Sequence, residues 1–161
     1  MIFGKQFCDK HKLKRFKLNI NKYCIKEVNE IKYSGIILDN KLSWQNRINH
    51  ICVKLSRAAG VIFKLRSYLP QKATLLLYNS LAAHYLRYGI TAWGAANSSL
   101  IKKVQVLQNK IVRYLSFSLP RSTSAPLYHA LNLMNSLEMY HFEPAKYMFD
   151  MYNYTIPIVF K

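Results

Sequence analysis

Ile31–Cys52, IKYSGIILDNKLSWQNRINHIC, is the stretch whose reading decides the fold. It opens with a short apolar run, Ile31 to Leu38, turns at Asp39-Asn40, and then carries apolar residues at helical spacing. A strand that delivers a helix in this way joins a sheet-based part to a helical part. Gly35 lies inside the apolar run, where a lone glycine marks either a bulge or a close backbone approach. Ser43 is placed to cap the helix with its hydroxyl, although Asn46 leaves the capping box incomplete.

Upstream of this stretch the chain reads as extended. Leu18 and Ile20, then Tyr23 and Ile25, form two short alternating strands linked by Asn21-Lys22. They are preceded by a basic run, Lys10 to Lys17, which suits either a phosphate-contacting loop or a solvated hairpin tip. Downstream, Trp44, Ile48, Ile51, Leu55, Ala58 or Ala59, and Ile62 repeat as the core stripe of a first helix. Arg47, Lys54, Arg57 and Lys64 fall together in a sector of about 100° on another side of it. Pro70 ends that helix and starts a second, which runs through Leu75, Leu76, Tyr78, Leu81, Ala82, Tyr85 and Leu86. Ile90 to Trp93 reads as an apolar link between Gly89 and Gly94. A third helix starts near Asn97 or Ser98, a short one follows Ser124, and Asn135 with Glu138 makes a capping box for the last. Pro144 falls inside that last helix, where it clashes with the carbonyl of Tyr140 unless a kink absorbs it.

The expected fold is therefore α+β, a small antiparallel sheet over about Met1 to Leu38 followed by a mainly helical bundle. With 51% apolar and 19% charged residues over 161 positions, the composition is that of a folded domain. Lys and Arg total 24 against 7 Asp and Glu, a formal net charge of +17, which favours a polyanionic partner and nucleic acid first. The longest apolar run, Leu75 to Trp93, contains Asn79, His84 and Arg87 and reads as a core helix, so no membrane partner is expected. Cys8, Cys24 and Cys52, without CxxC spacing and with no secretory signal at Met1, suit reduced thiols in an intracellular protein, nuclear or cytoplasmic.

Several chemistries find no support. The acids Asp9, Glu27, Glu30, Asp39, Glu138, Glu143 and Asp150 include no pair spaced for a two-metal centre. Cys8, His11, Cys24, His50 and Cys52 lack a zinc-ligand spacing. There is no nucleophile elbow and no glycine-rich phosphate loop, and His84 reads as a core histidine. No catalytic residue and no cofactor is expected in this chain.

A set of ordered segments carries a resemblance: MIF at the start, EIKYSGIILDNKLSW at Glu30 to Trp44, the Ile48–Pro70 pattern, LYNSL at Leu77, YGITAWG at Tyr88, LQNKIVRYLS at Leu107, and Arg121 to Leu133. Together they resemble the reverse transcriptase of jockey-type non-LTR retrotransposons. The resemblance implies that the chain follows the metal-binding Ala-Asp-Asp motif of a longer polymerase, whose palm and fingers lie upstream, and that Met1 is internal to it. Residues 1–40 would be the end of the palm with a primer-grip-like hairpin, and residues 41–161 the helical thumb and downstream region. Mg²⁺ is implied for the intact polymerase, outside this chain. On this view Lys32, Tyr33, Ser34 and Gly35 contact the primer end, while Arg47, Lys54, Arg57 and Lys64 hold the backbone of an RNA–DNA hybrid. Ser34 before Gly35, Ala95-Ala96 after Trp93-Gly94, and Pro144 depart from the family pattern. Two other readings are a stand-alone basic RNA-binding module and a non-functional relic of an element.

Overall fold

The computed structural model describes residues 28–153, and the backbone alone of residues 19–20 and 23–24. The MIF segment, the basic run Lys10–Lys17 and the tail Thr155–Lys161 lie outside the described residues. The fold is α+β. β1 (Asn19–Ile20) pairs antiparallel with β2 (Tyr23–Cys24), and β3 (Glu30–Tyr33) pairs antiparallel with β4 (Ile36–Asp39). The helices are α1 (Gln45–Leu65), α2 (Gln71–Tyr78), α3 (His84–Arg87), α4 (Ile90–Trp93), α5 (Ser98–Leu115), α6 (Ala125–Ala130) and α7 (Ser136–Tyr152). The chain divides into two compact units, Met1–Arg47 and Ile48–Lys161, so the first residues of α1 belong with the strands.

In the first unit, the run Ile31–Leu38 is not one strand. It folds back at Ser34-Gly35, where φ is 46° and 78°, so Tyr33 pairs with Ile36 and Glu30 with Asp39. Two successive positive φ values make the two-residue turn whose twist matches the twist of paired strands. Gly35 is thus a turn residue rather than a bulge, and Ser34 accepts a conformation that L-residues adopt at a cost. The helix start also differs from the capping expected at Ser43. The Asp39 carboxylate accepts the backbone N–H groups of Lys41 (3.1 Å), Ser43 (3.0 Å) and Trp44 (3.0 Å), and the Ser43 hydroxyl at 3.2 Å. Ser43 Oγ in turn accepts the Gln45 N–H at 3.4 Å. Trp44 has φ 62° and stands half-buried just before the helix, outside its stripe.

In the second unit the helical periodicities hold. Ile48, Ile51, Leu55 and Ile62 are wholly buried, as are Tyr78, Ala82, Leu86, Trp93, Val104 and Ile111. α2 and α3 form one continuous rod through a π-helical turn, Asn79–Ala83, which adds a residue to the turn and rotates the buried face. Leu76 lies on the outer side of α2 and is exposed. The link Ile90–Trp93 is itself a helical turn, entered through Gly89 at φ 67°; Trp93 is buried and donates its indole N–H to the Tyr88 carbonyl at 3.1 Å. A Cβ on Gly94 would overlap the Tyr140 ring and the Ile90 carbonyl, so α4 and α7 meet closely there. The capping box forms as expected: Asn135 Oδ1 accepts the N–H groups of Leu137 and Glu138, and Glu138 accepts the Asn135 N–H. α7 accommodates Pro144 within its length.

A polar network that periodicity does not reveal lies inside this core. Gln108, wholly buried, donates to the Tyr78 hydroxyl at 3.1 Å and to the Met134 carbonyl at 2.9 Å. Gln105 donates to Asn109 and to the Tyr128 hydroxyl, and accepts the Ser136 hydroxyl at 2.6 Å. Burial of such groups is tolerable because both glutamine side-chain amides find acceptors for their N–H groups, although Gln108 Oε1 has no partner among the described residues.

Candidate nucleic-acid interface

The β3–β4 hairpin carries Lys32, Tyr33, Ser34 and Gly35 at its exposed end, with the Tyr33 ring 71% exposed. Two side chains from the start of α1 fasten this hairpin within its own unit. Asn46 donates to the Glu30 carboxylate at 2.7 Å, and Arg47 Nη1 donates to the Gly35 carbonyl at 3.3 Å. The expected phosphate contact at Arg47 therefore meets a different placement, because its side chain is 3% exposed and turned onto the hairpin turn. The geometry of the helix explains this. At about 100° per residue, Arg47 lies only about 70° from the centre of the buried stripe, while Arg57 and Lys64 lie well over 100° away from it.

The remaining three cations of the stripe divide the same way. Lys54 is half-buried, with its ammonium 5.6 Å from the Tyr85 ring centroid, whereas Arg57 and Lys64 are exposed. The structure thus joins Arg47 with Gly35 within the first unit, while in the second Arg57 and Lys64 are exposed and Lys54 is half-buried. Lys102, Lys103 and Lys110 on α5 are also exposed, opposite the buried Val104, Gln108 and Ile111.

Asp39 is the carboxylate with the most organised surroundings. Burial alone would raise its pKa, but the N–H groups of Ser43, Trp44 and Lys41 and the Ser43 hydroxyl together hold it below the usual carboxylate range. Those same bonds occupy both its oxygens. Among the described residues no three His, Cys, Asp or Glu side chains gather where they could hold a metal ion. Burial raises the Cys52 thiol above its ordinary pKa despite nearby Lys103, which leaves it a poor nucleophile. No described helix is long and apolar enough to cross a membrane.

Three proteins of Drosophila melanogaster are similar in sequence. The probable RNA-directed DNA polymerase from transposon X-element is 30% identical over 95 residues, 57% of this chain and 10% of the relative. The RNA-directed DNA polymerase from mobile element jockey is 31% identical over 103 residues, 62% and 11%. The probable RNA-directed DNA polymerase from transposon BS is 32% identical over 93 residues, 54% and 10%. No protein-family model and no solved structure matches the chain. An α+β chain with a basic helical part is the class that the fold defines. Within it, this chain is similar in sequence to the RNA-directed DNA polymerases of these mobile elements, and the matched stretch spans about a tenth of the length of those relatives.

Proposed function

We propose that this chain is the template-primer-binding part of an RNA-directed DNA polymerase, comprising the end of the palm and the thumb. It holds an RNA–DNA hybrid for carboxylates and Mg²⁺ that lie elsewhere in the polymerase. The observation that carries this reading is the one-sided set of cations on α1, exposed Arg57 and Lys64 with half-buried Lys54, in a chain of net charge +17. Cations spaced along one side of a 21-residue helix suit successive phosphates, which position a duplex without reading its sequence. The exposed Lys32-Tyr33-Ser34-Gly35 turn is offered to the primer end, and Arg47 supports it from behind by holding the Gly35 carbonyl.

Fluorescence anisotropy with a labelled RNA–DNA hybrid tests this. Log affinity should fall with log salt by roughly 0.9 per neutralised phosphate, and Lys54→Glu with Arg57→Glu should flatten the slope by about 2. An unchanged slope in that double variant would remove the stripe from the interface. The closed core of the helical unit favours one second reading, a self-contained basic RNA-binding module, for which isolated residues 48–161 should unfold in a single cooperative transition.

A further inference from the structure

Where α1 and α5 end, a cluster of rings surrounds one cation. The Arg66 guanidinium carbon lies 4.6 Å from the Phe63 ring centroid, 5.3 Å from Tyr114 and 5.9 Å from Phe117. Phe63 and Tyr114 stack against each other at 4.9 Å with a 52° tilt, and the Lys110 ammonium lies 5.9 Å from the Tyr114 ring. This is not core: Phe63 is 48% exposed and Phe117 55% exposed. Among the described residues Arg66 has no carboxylate partner, so rings rather than an ion pair hold its plane.

The placement of Phe117 runs against local chemistry. α5 ends in a Schellman motif: the Ser118 N–H reaches the Arg113 carbonyl at 3.0 Å, and the Phe117 N–H reaches Tyr114 at 3.4 Å. The residue in the left-handed position of that motif is ordinarily Gly or Asn. α6 ends the same way, Leu133 to Tyr128 and Asn132 to His129, and there the left-handed residue is Asn132 at φ 50°. At α5 it is Phe117, at φ 53°. A bulky apolar residue thus sits half in water in a conformation that Asn or Gly would adopt at less cost.

We propose that Phe63, Arg66, Tyr114 and Phe117 form a stacking platform for the bases of an unpaired RNA strand. Aromatic faces beside guanidinium and ammonium groups accept any base, and the adjacent charges suit the strand's phosphates. The choice of RNA rests on the function proposed above, because the unpaired strand beside an RNA–DNA hybrid in RNA-directed synthesis is the RNA template. Stacking differs from phosphate contact in its salt response: it releases no counterions.

The test uses the full chain with fluorescein-labelled twelve-residue oligoadenylate RNA, and separately with the RNA–DNA hybrid. Phe117→Ala should weaken binding of the single strand roughly fivefold or more at 0.1 M and at 0.4 M salt alike. Phe117→Trp should keep it, and hybrid affinity should stay within about twofold in both variants, since stacking is reserved for unpaired bases. Unchanged single-strand affinity in Phe117→Ala, equal loss in Phe117→Trp, or a loss that vanishes at high salt would overturn the platform. None of these results bears on the hybrid's salt slope in the Lys54→Glu, Arg57→Glu variant, so the two proposals fail separately.

Discussion

The hairpin region, residues 28–47, and the helical unit from Ile48 onward are ordered by opposite means. From Val28 to Asn46 not one side chain is buried, and shape comes from backbone conformation: positive φ at Ser34, Gly35, Leu42 and Trp44, and one carboxylate that takes four hydrogen bonds. In the helical unit shape comes from apolar burial around Ile51, Leu55, Trp93 and Ile111, with a glutamine network inside. The difference teaches which substitutions matter where: backbone-restricting changes in the first, volume changes in the second.

The largest effect should come from Trp93→Ala. Removing a wholly buried indole costs about 3–5 kcal/mol, read as a fall in the urea midpoint of the helical signal, while exchange of the β3–β4 amides keeps its rate. Parallel loss in both regions would break the contrast. Next, Gly35→Val forces a β-branched residue into φ 78° and should cost about 1–2 kcal/mol. That appears as faster amide exchange confined to β3–β4, with the helical midpoint unchanged.

Asp39→Asn should cost about 1 kcal/mol, by loss of charge-assisted bonds to the helix start. The wild-type hairpin should show the matching pH dependence. The folded carboxylate titrates below its unfolded value, so its contribution is complete above about pH 4 and is lost as pH falls further. In Asp39→Asn that acid limb should disappear from the β3–β4 exchange profile. The smallest effect belongs to Tyr128→Phe, about 0.5 kcal/mol, since Gln105 and Asn109 still bond each other. Burial first, then neighbouring Tyr78, holds the Tyr128 phenol far above the usual tyrosine range. An unfolded chain releases that proton near pH 10 and the folded one does not, so helical stability should fall as pH rises beyond about 10. Tyr128→Phe should lessen that fall. Acid sensitivity of the hairpin and alkaline sensitivity of the helices are the comparison in its sharpest form.

Helix positions were legible because their determinants are local. Pro70 before α2, Asn97 before α5 and the Asn135–Glu138 box before α7 act on residues within one turn, and apolar spacing marked Ile48 through Ile62 correctly. The hairpin at Ser34-Gly35 was hidden because a continuous apolar run with one glycine is equally compatible with a single strand. Of the site, Arg57 and Lys64 were placed on the outside by periodicity alone, whereas the inward turn of Arg47 was not.

By itself, then, the sequence determined the class, the order of elements, the net charge of +17, and the likeness to transposon polymerases, all carried by composition and by neighbours along the chain. Tertiary structure alone decided that Arg47 supports a turn, that Gln108 is core and that Arg66 gathers three rings. Phe63 apart, each of those depends on groups 12 to 51 positions apart in sequence, as with Arg47 and the Gly35 carbonyl or Arg66 and Phe117, and no local spacing rule reaches across such distances.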